Sequence, residues 1–168
     1  IFFFFVVPGF QEFIKANALS SQVNGFVADL YFTRSEAINR TGRVTMCKSS
    51  SLSGCATSGG WEQGWIIFFD QSGTAGVVDG SDVIIRTQGP ASGAITIRGN
   101  SFVSTRVSYL SSGIVEPGNG TLIFCDDRIK TYSTDKAKAR AVVISSVGRV
   151  RTTKGSDSTL SITSCTPS

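Results

Sequence analysis

PGFQEFIKANALSSQVNGFVADLYFTRSEAINR, residues 8 to 40, is the stretch from which the fold follows. Phe10, Phe13, Ile14, Ala18, Val23, Phe26, Val27, Leu30, Ala37 and Ile38 recur at spacings of three and four, with Arg34 in the same register. That pattern is one apolar stripe along an otherwise polar helix. Gly42 is expected to stop it as a C-terminal cap, so the spacing predicts a helix from about Pro8 to Arg40. Such a helix is long for a globular chain and reads as a spine.

Before it, Ile1–Val7 reads IFFFFVV. As helix this stretch reaches only about 10 Å, a third of a bilayer core. It reads as the end of a longer apolar helix, as a cut signal core, or as residues added in cloning. No run of about 18 apolar residues is present, so a complete transmembrane helix is not expected.

After Gly42 the period changes. Arg43–Lys48, Trp65–Phe69, Asp82–Thr87, Ala94–Arg98, Arg106–Leu110, Thr121–Cys125, Ala141–Ser146, Arg149–Thr153 and Thr159–Thr163 are short, β-branched or aromatic, and separated by Gly, Ser, Asn and Asp. Each reads as a strand. Ser49–Gly60 and Ser111–Gly120 read as small-residue, mobile loops. The expectation is an α+β fold with a helical segment, residues 1–41, packed on an antiparallel β-rich domain, residues 42–168.

The 168 residues suffice for one core, and 40% hydrophobic content is too high for a disordered chain. There is no histidine. That removes Ser-His-Asp and Cys-His nucleophiles, the commonest metal ligand and the usual proton shuttle. The cysteines are Cys47, Cys55, Cys125 and Cys165. Without CxxC or His they argue against zinc and for two disulfides in an exported protein, with buried free thiols in a cytosolic protein as the alternative. Cys47 and Cys55 flank a short Ser/Gly loop that can close locally, which leaves Cys125 to tie Cys165 and the tail to a core strand. No cofactor and no metal is expected.

Three groups invite chemistry and have plainer readings. Asp70, Asp79 and Asp82 supply oxygens for calcium, but no Glu closes the loop and a hairpin turn explains them. Asp126 and Asp127 are adjacent, so on a strand they point apart and share no substrate; pairing with Arg128 is the plainer role. Trp61, Trp65, Phe68 and Phe69 suit a ligand platform less well than a core.

The net charge is +4, and the basic excess is C-terminal. Arg128, Lys130, Lys136, Lys138, Arg140, Arg149, Arg151 and Lys154 face Asp135 alone within that stretch. In Gly148-Arg149-Val150-Arg151 the glycine permits a tight turn, and the arginines share one side of a strand. Guanidinium forks suit phosphate oxygens; a solvated basic face, or arginines paired with Asp126 and Asp127, fits the same residues.

Several motifs together resemble the FimT/FimU/GspH-type minor pilins and pseudopilins of type IV pili and type II secretion systems. These are Val6-Val7-Pro8-Gly9-Phe10-Gln11, Arg34-Ser35-Glu36-Ala37-Ile38, Val44-Thr45-Met46-Cys47, the series Trp61, Gly64, Trp65, Phe68 and Asp70, Leu122-Ile123-Phe124-Cys125-Asp126, and Val142-Val143-Ile144-Ser145 followed by Gly148-Arg149-Val150-Arg151. The prepilin cleavage signature is absent from the sequence. The resemblance, closest to the FimT type, implies a non-enzymatic pilus subunit that binds double-stranded DNA without sequence preference during natural transformation. Arg149, Arg151, Lys154, Lys136, Lys138 and Arg140 are the expected DNA contacts. It also implies contacts with minor and major pilins through the helix, an inner-membrane stage with a periplasmic domain, and a surface pilus position, at its tip. The alternative is a FimU- or GspH-type subunit that primes assembly and binds no DNA.

Overall fold

A computed structural model of the chain describes residues 6–71, 73–160 and 164–165. Helix α1 runs Val6–Asn39. Among the described residues nine strands follow: β1 Arg43–Lys48, β2 Trp65–Asp70, β3 Val83–Gln88, β4 Thr96–Gly99, β5 Arg106–Tyr109, β6 Val115–Glu116, β7 Gly120–Cys125, β8 Arg140–Ile144 and β9 Val150–Lys154. They form two antiparallel sheets, β3-β2-β1-β5-β6 and β4-β7-β8-β9. The expected α+β architecture is the one found. The strand expected at Thr159–Thr163 falls largely outside the described residues, and the two-residue β6 lies inside the expected loop Ser111–Gly120.

The helix ends differently from expectation. Thr41, not Gly42, adopts the left-handed conformation, with φ 51°. Gly42 N–H donates to Ala37 O and Thr41 N–H to Ile38 O, both at 3.2 Å, which is a Schellman cap. Glycine is needed at position 42 for another reason: a Cβ there would strike the Phe69 ring.

The buried face of α1 is Leu19, Val23, Phe26, Leu30, Thr33 and Ala37, whereas Ile38 is 46% exposed. Ala18, placed in the stripe by its spacing, is also exposed. The true line steps by alternating fours and threes from Leu19, one residue later than the sequence reading. Phe26 sits at its centre, edge-on to Trp61, Trp65 and Phe124 at 5.3, 5.0 and 5.3 Å between ring centroids. Trp65 belongs to the first sheet and Phe124 to the second, so one ring joins the helix to both. Asp29 is buried beside it. It accepts from Trp65 Nε1 at 2.8 Å and Arg86 NH1 at 2.7 Å. Arg86 in turn lies over the Phe32 ring at 3.7 Å. An acid in the apolar register is thus answered by two donors, which fixes the helix against β2 and β3.

Disulfides join Cys47 to Cys55 and Cys125 to Cys165, with Cα separations of 5.5 and 6.0 Å. The first closes the loop after β1. That loop, expected to be mobile, is further held by Ser49 Oγ to Gly54 O at 2.6 Å and Ala56 N–H to Lys48 O at 2.8 Å. The second fastens the tail over the outer side of β7, where Ile123, Cys125, Ala139 and Ala141 form a small core of their own.

Candidate interaction surfaces

Two surfaces are open to a partner: the first turns of α1 and the β8–β9 hairpin. Phe10, Phe13 and Ile14 are 62%, 61% and 50% exposed. They precede Leu19, the first helix residue to enter the core. In this part the helix meets the β-body through charges. Lys15 Nζ contacts Asp127 Oδ2 at 2.8 Å, and Glu12 lies 3.9 Å from Arg128 NH1. The Lys15 hydrogen bond raises the lysine above its ordinary value and holds the Asp127 carboxyl below its own. Arg128 is itself gripped by both oxygens of the buried Asp126. Asp126 and Asp127 therefore serve as ion-pair partners with separate cations. The sequence reading missed Lys15, whose partner lies more than a hundred residues away.

Phe10, Phe13 and Ile14 are not covered by a β-strand among the described residues. An exposed apolar stripe of this kind marks an association surface. No helix among the described residues is long and apolar enough to cross a membrane.

The hairpin turns at Ser145–Arg149, with Gly148 at φ 79°. A Cβ at Gly148 would collide with the Gly113 carbonyl oxygen, so glycine serves both the turn and the close approach of the Ser111–Gly120 loop. Tyr31 Oη donates to Val150 O at 3.3 Å and Arg34 NH2 to Val147 O at 3.4 Å, which fastens the hairpin to α1.

β9 is the outer strand of its sheet. Arg151 pairs with Val143, whereas Lys154 pairs with Arg140 at the far end of the ladder. Alternation then puts Arg149 and Arg151 on one face and Arg140 and Lys154 on the other. Lys136 and Lys138 lie in the short helical turn Lys136–Lys138, before β8. Of the six expected DNA contacts, Arg149 and Arg151 thus share one face and Arg140 and Lys154 the opposite one, so the six do not form a single patch.

Both arginines are exposed. Arg149 makes no side-chain hydrogen bond or ion pair among the described residues. The Arg151 fork is engaged by Asp157 Oδ2 at 3.2 Å and Thr159 Oγ1 at 3.2 Å. Asp157 also accepts the Thr159 N–H at 2.9 Å, and these donors hold its carboxyl far below the ordinary range. Lys138 is paired with Asp135 at 3.3 Å, and Arg140 donates to the Ala139 carbonyl at 3.1 Å. Tyr132, the one aromatic in the basic stretch, packs into the outer core and donates to Gly155 O, so it offers no stacking platform.

The candidate calcium carboxylates are occupied by protein donors. Asp70 accepts from Thr45 Oγ1 and Gly76 N–H, Asp79 from Thr74 N–H, and Asp82 from Gln71 and Asp79 N–H groups. They pin the loop between β2 and β3. Trp61 and Trp65 are buried core residues, not a platform.

Among known families, the one described as type II transport protein GspH matches residues 22–148. In structure the chain is similar to the type IV minor pilin FimU of Pseudomonas aeruginosa, with 20% identity and a TM-score of 0.64. That match covers 86% of this chain and 95% of FimU. It is also similar to the minor pseudopilin EpsH from the type 2 secretion system of Vibrio cholerae, with 13% identity and a TM-score of 0.54. There the coverage is 82% of this chain and 98% of EpsH. At these identities the likeness is one of fold. No curated protein matches the chain in sequence.

Proposed function

The chain belongs to the GspH family of type II transport proteins, and from that premise we propose that it is a non-enzymatic minor pilin or pseudopilin joined to its neighbours through the first turns of α1. The observation that carries this reading is the exposed row Phe10, Phe13 and Ile14 on a helix whose next turns are the spine of the core. Helix-to-helix packing in a filament would cover that row. Before assembly the apolar N-terminal segment would rest in the inner membrane, with the β-body in the periplasm.

Truncation tests it. Removing the residues before Ala18 deletes the exposed row and its surface ion pairs but leaves Leu19 and the core. Exposed ion pairs contribute little, so Tm is expected to move by a few degrees at most. Sedimentation should show less self-association. A loss of cooperative melting would assign the row to the chain's own core and overturn the reading.

A second reading is double-stranded DNA binding by the outer face of β9. It is favoured by the exposed, same-face placement of Arg149 and Arg151 at a sheet edge that no strand pairs among the described residues. Binding would be to phosphates and indifferent to sequence. Arg149→Ala with Arg151→Ala is expected to weaken DNA binding and reduce the salt slope by about two, one for each phosphate left without its arginine, with Tm unchanged. Asp157→Asn is expected to strengthen binding, because a carboxylate that competes with phosphate for Arg151 is neutralised. Gel-shift titration at two salt concentrations checks both. Equal binding by the parent and the double variant would remove the site, and no binding by the parent at low salt would remove the reading.

A further inference from the structure

A cleft of about 430 Å³ opens where the ends of β1 and β4 meet the loop that leads to Trp61. It is separate from both surfaces described above. Its wall contains Lys48, a lysine only 5% exposed. Among the described residues Lys48 Nζ makes one hydrogen bond, to Gly59 O at 2.7 Å. Arg98 enters from β4. Its NH1 donates to Glu62 and to Ile97 O, while its Nε is buried with no partner among the described residues. The Glu62 carboxylate is shared between Arg98 and the Ile97 N–H, 3.0 Å away.

Two cations therefore face one carboxylate, and the cleft carries a surplus of one positive charge. Burial, and after it the nearby Arg98, hold the Lys48 ammonium below its ordinary value. A buried cation with spare N–H groups is costly until an anion meets it. The lip of the cleft includes Thr57, Ser58, Ser104 and Thr105, all bearing hydroxyl groups.

We propose that this cleft binds a small hydroxylated monocarboxylate, with its carboxylate on Lys48 and Arg98 and its hydroxyls toward the Ser/Thr lip. A single negative charge matches the surplus, whereas a phosphate dianion would exceed it beside Glu62. The volume admits a ligand the size of one sugar acid.

The test uses the full chain and three probes: glucuronate, glucose as the neutral isostere, and inorganic phosphate as the anion without the sugar. Amide shifts in a two-dimensional NMR spectrum report the site. Glucuronate is expected to give saturable shifts at Lys48, Gly59, Gly60 and Arg98, with glucose and phosphate at least tenfold weaker. Lys48→Met keeps the buried stem and removes the charge. It is expected to weaken glucuronate at least tenfold while the remaining spectrum stays folded. Should that variant unfold, Arg98→Lys keeps a cation for Glu62, loses the fork, and is expected to weaken glucuronate severalfold. The proposal is overturned by an absence of saturable shifts at tens of millimolar glucuronate, by glucose or phosphate binding equally well, or by parental affinity in a folded variant.

Discussion

Phe26→Ala is expected to destabilise the protein by about 3–5 kcal/mol, the range for emptying a buried aromatic site. Phe26 is fully buried and makes edge contacts with three rings drawn from the loop before β2, from β2 and from β7. Its loss removes more than transferred area, because each edge-to-face pair adds about 0.5–1.5 kcal/mol of its own. The rings around it are held by other bonds and cannot collapse inward: Trp61 Nε1 donates to Val103 O at 3.0 Å, and Trp65 Nε1 is fixed by Asp29. Urea unfolding followed by tryptophan fluorescence measures the change. A loss below about 1 kcal/mol would show that the helix is not joined to both sheets through this residue.

The helix, the cysteines and eight of the strands are legible in the sequence for local reasons. Spacing marks the apolar faces, and Gly/Ser clusters mark the turns. The stripe slips by one residue at Ala18 because two adjacent small or apolar residues, Ala18 and Leu19, satisfy the same spacing; only packing chooses between them. The cap at Thr41 was hidden because glycine at 42 fits the usual signature, yet the demand there is steric, from Phe69. β6 is too short to carry a pattern, and its place depends on pairing with β5 and on the Val115 N–H bond to Ser146 O at 2.9 Å.

Charge count located a basic region but not a basic patch. Eight cations near one another in sequence are divided by strand alternation and by the hairpin, and several are answered locally by Asp126, Asp135 and Asp157. Asp29 did leave a signal: an acid inside the buried register of an amphipathic helix requires a donor from another element. The Lys48–Arg98 cleft left none, because its parts come from four separate segments.

The second large effect concerns assembly. Phe10→Glu with Phe13→Glu places two carboxylates where helix-to-helix contact is proposed. Burying even one unpaired carboxylate there opposes association strongly. Both side chains are about three-fifths exposed in the isolated chain, at 62% and 61%, so folding is expected to tolerate the change. Arg149→Ala with Arg151→Ala, by contrast, should leave incorporation intact, because those residues sit on the hairpin rather than on the helix.

Recovery of the protein in filaments sheared from the cells that produce it is the most direct measurement. The parent is expected in the filament fraction, and the Phe10→Glu/Phe13→Glu variant is expected to be absent from it while keeping the parental Tm in purified form. Parental recovery of that variant in filaments would contradict a subunit joined through the first turns of its helix.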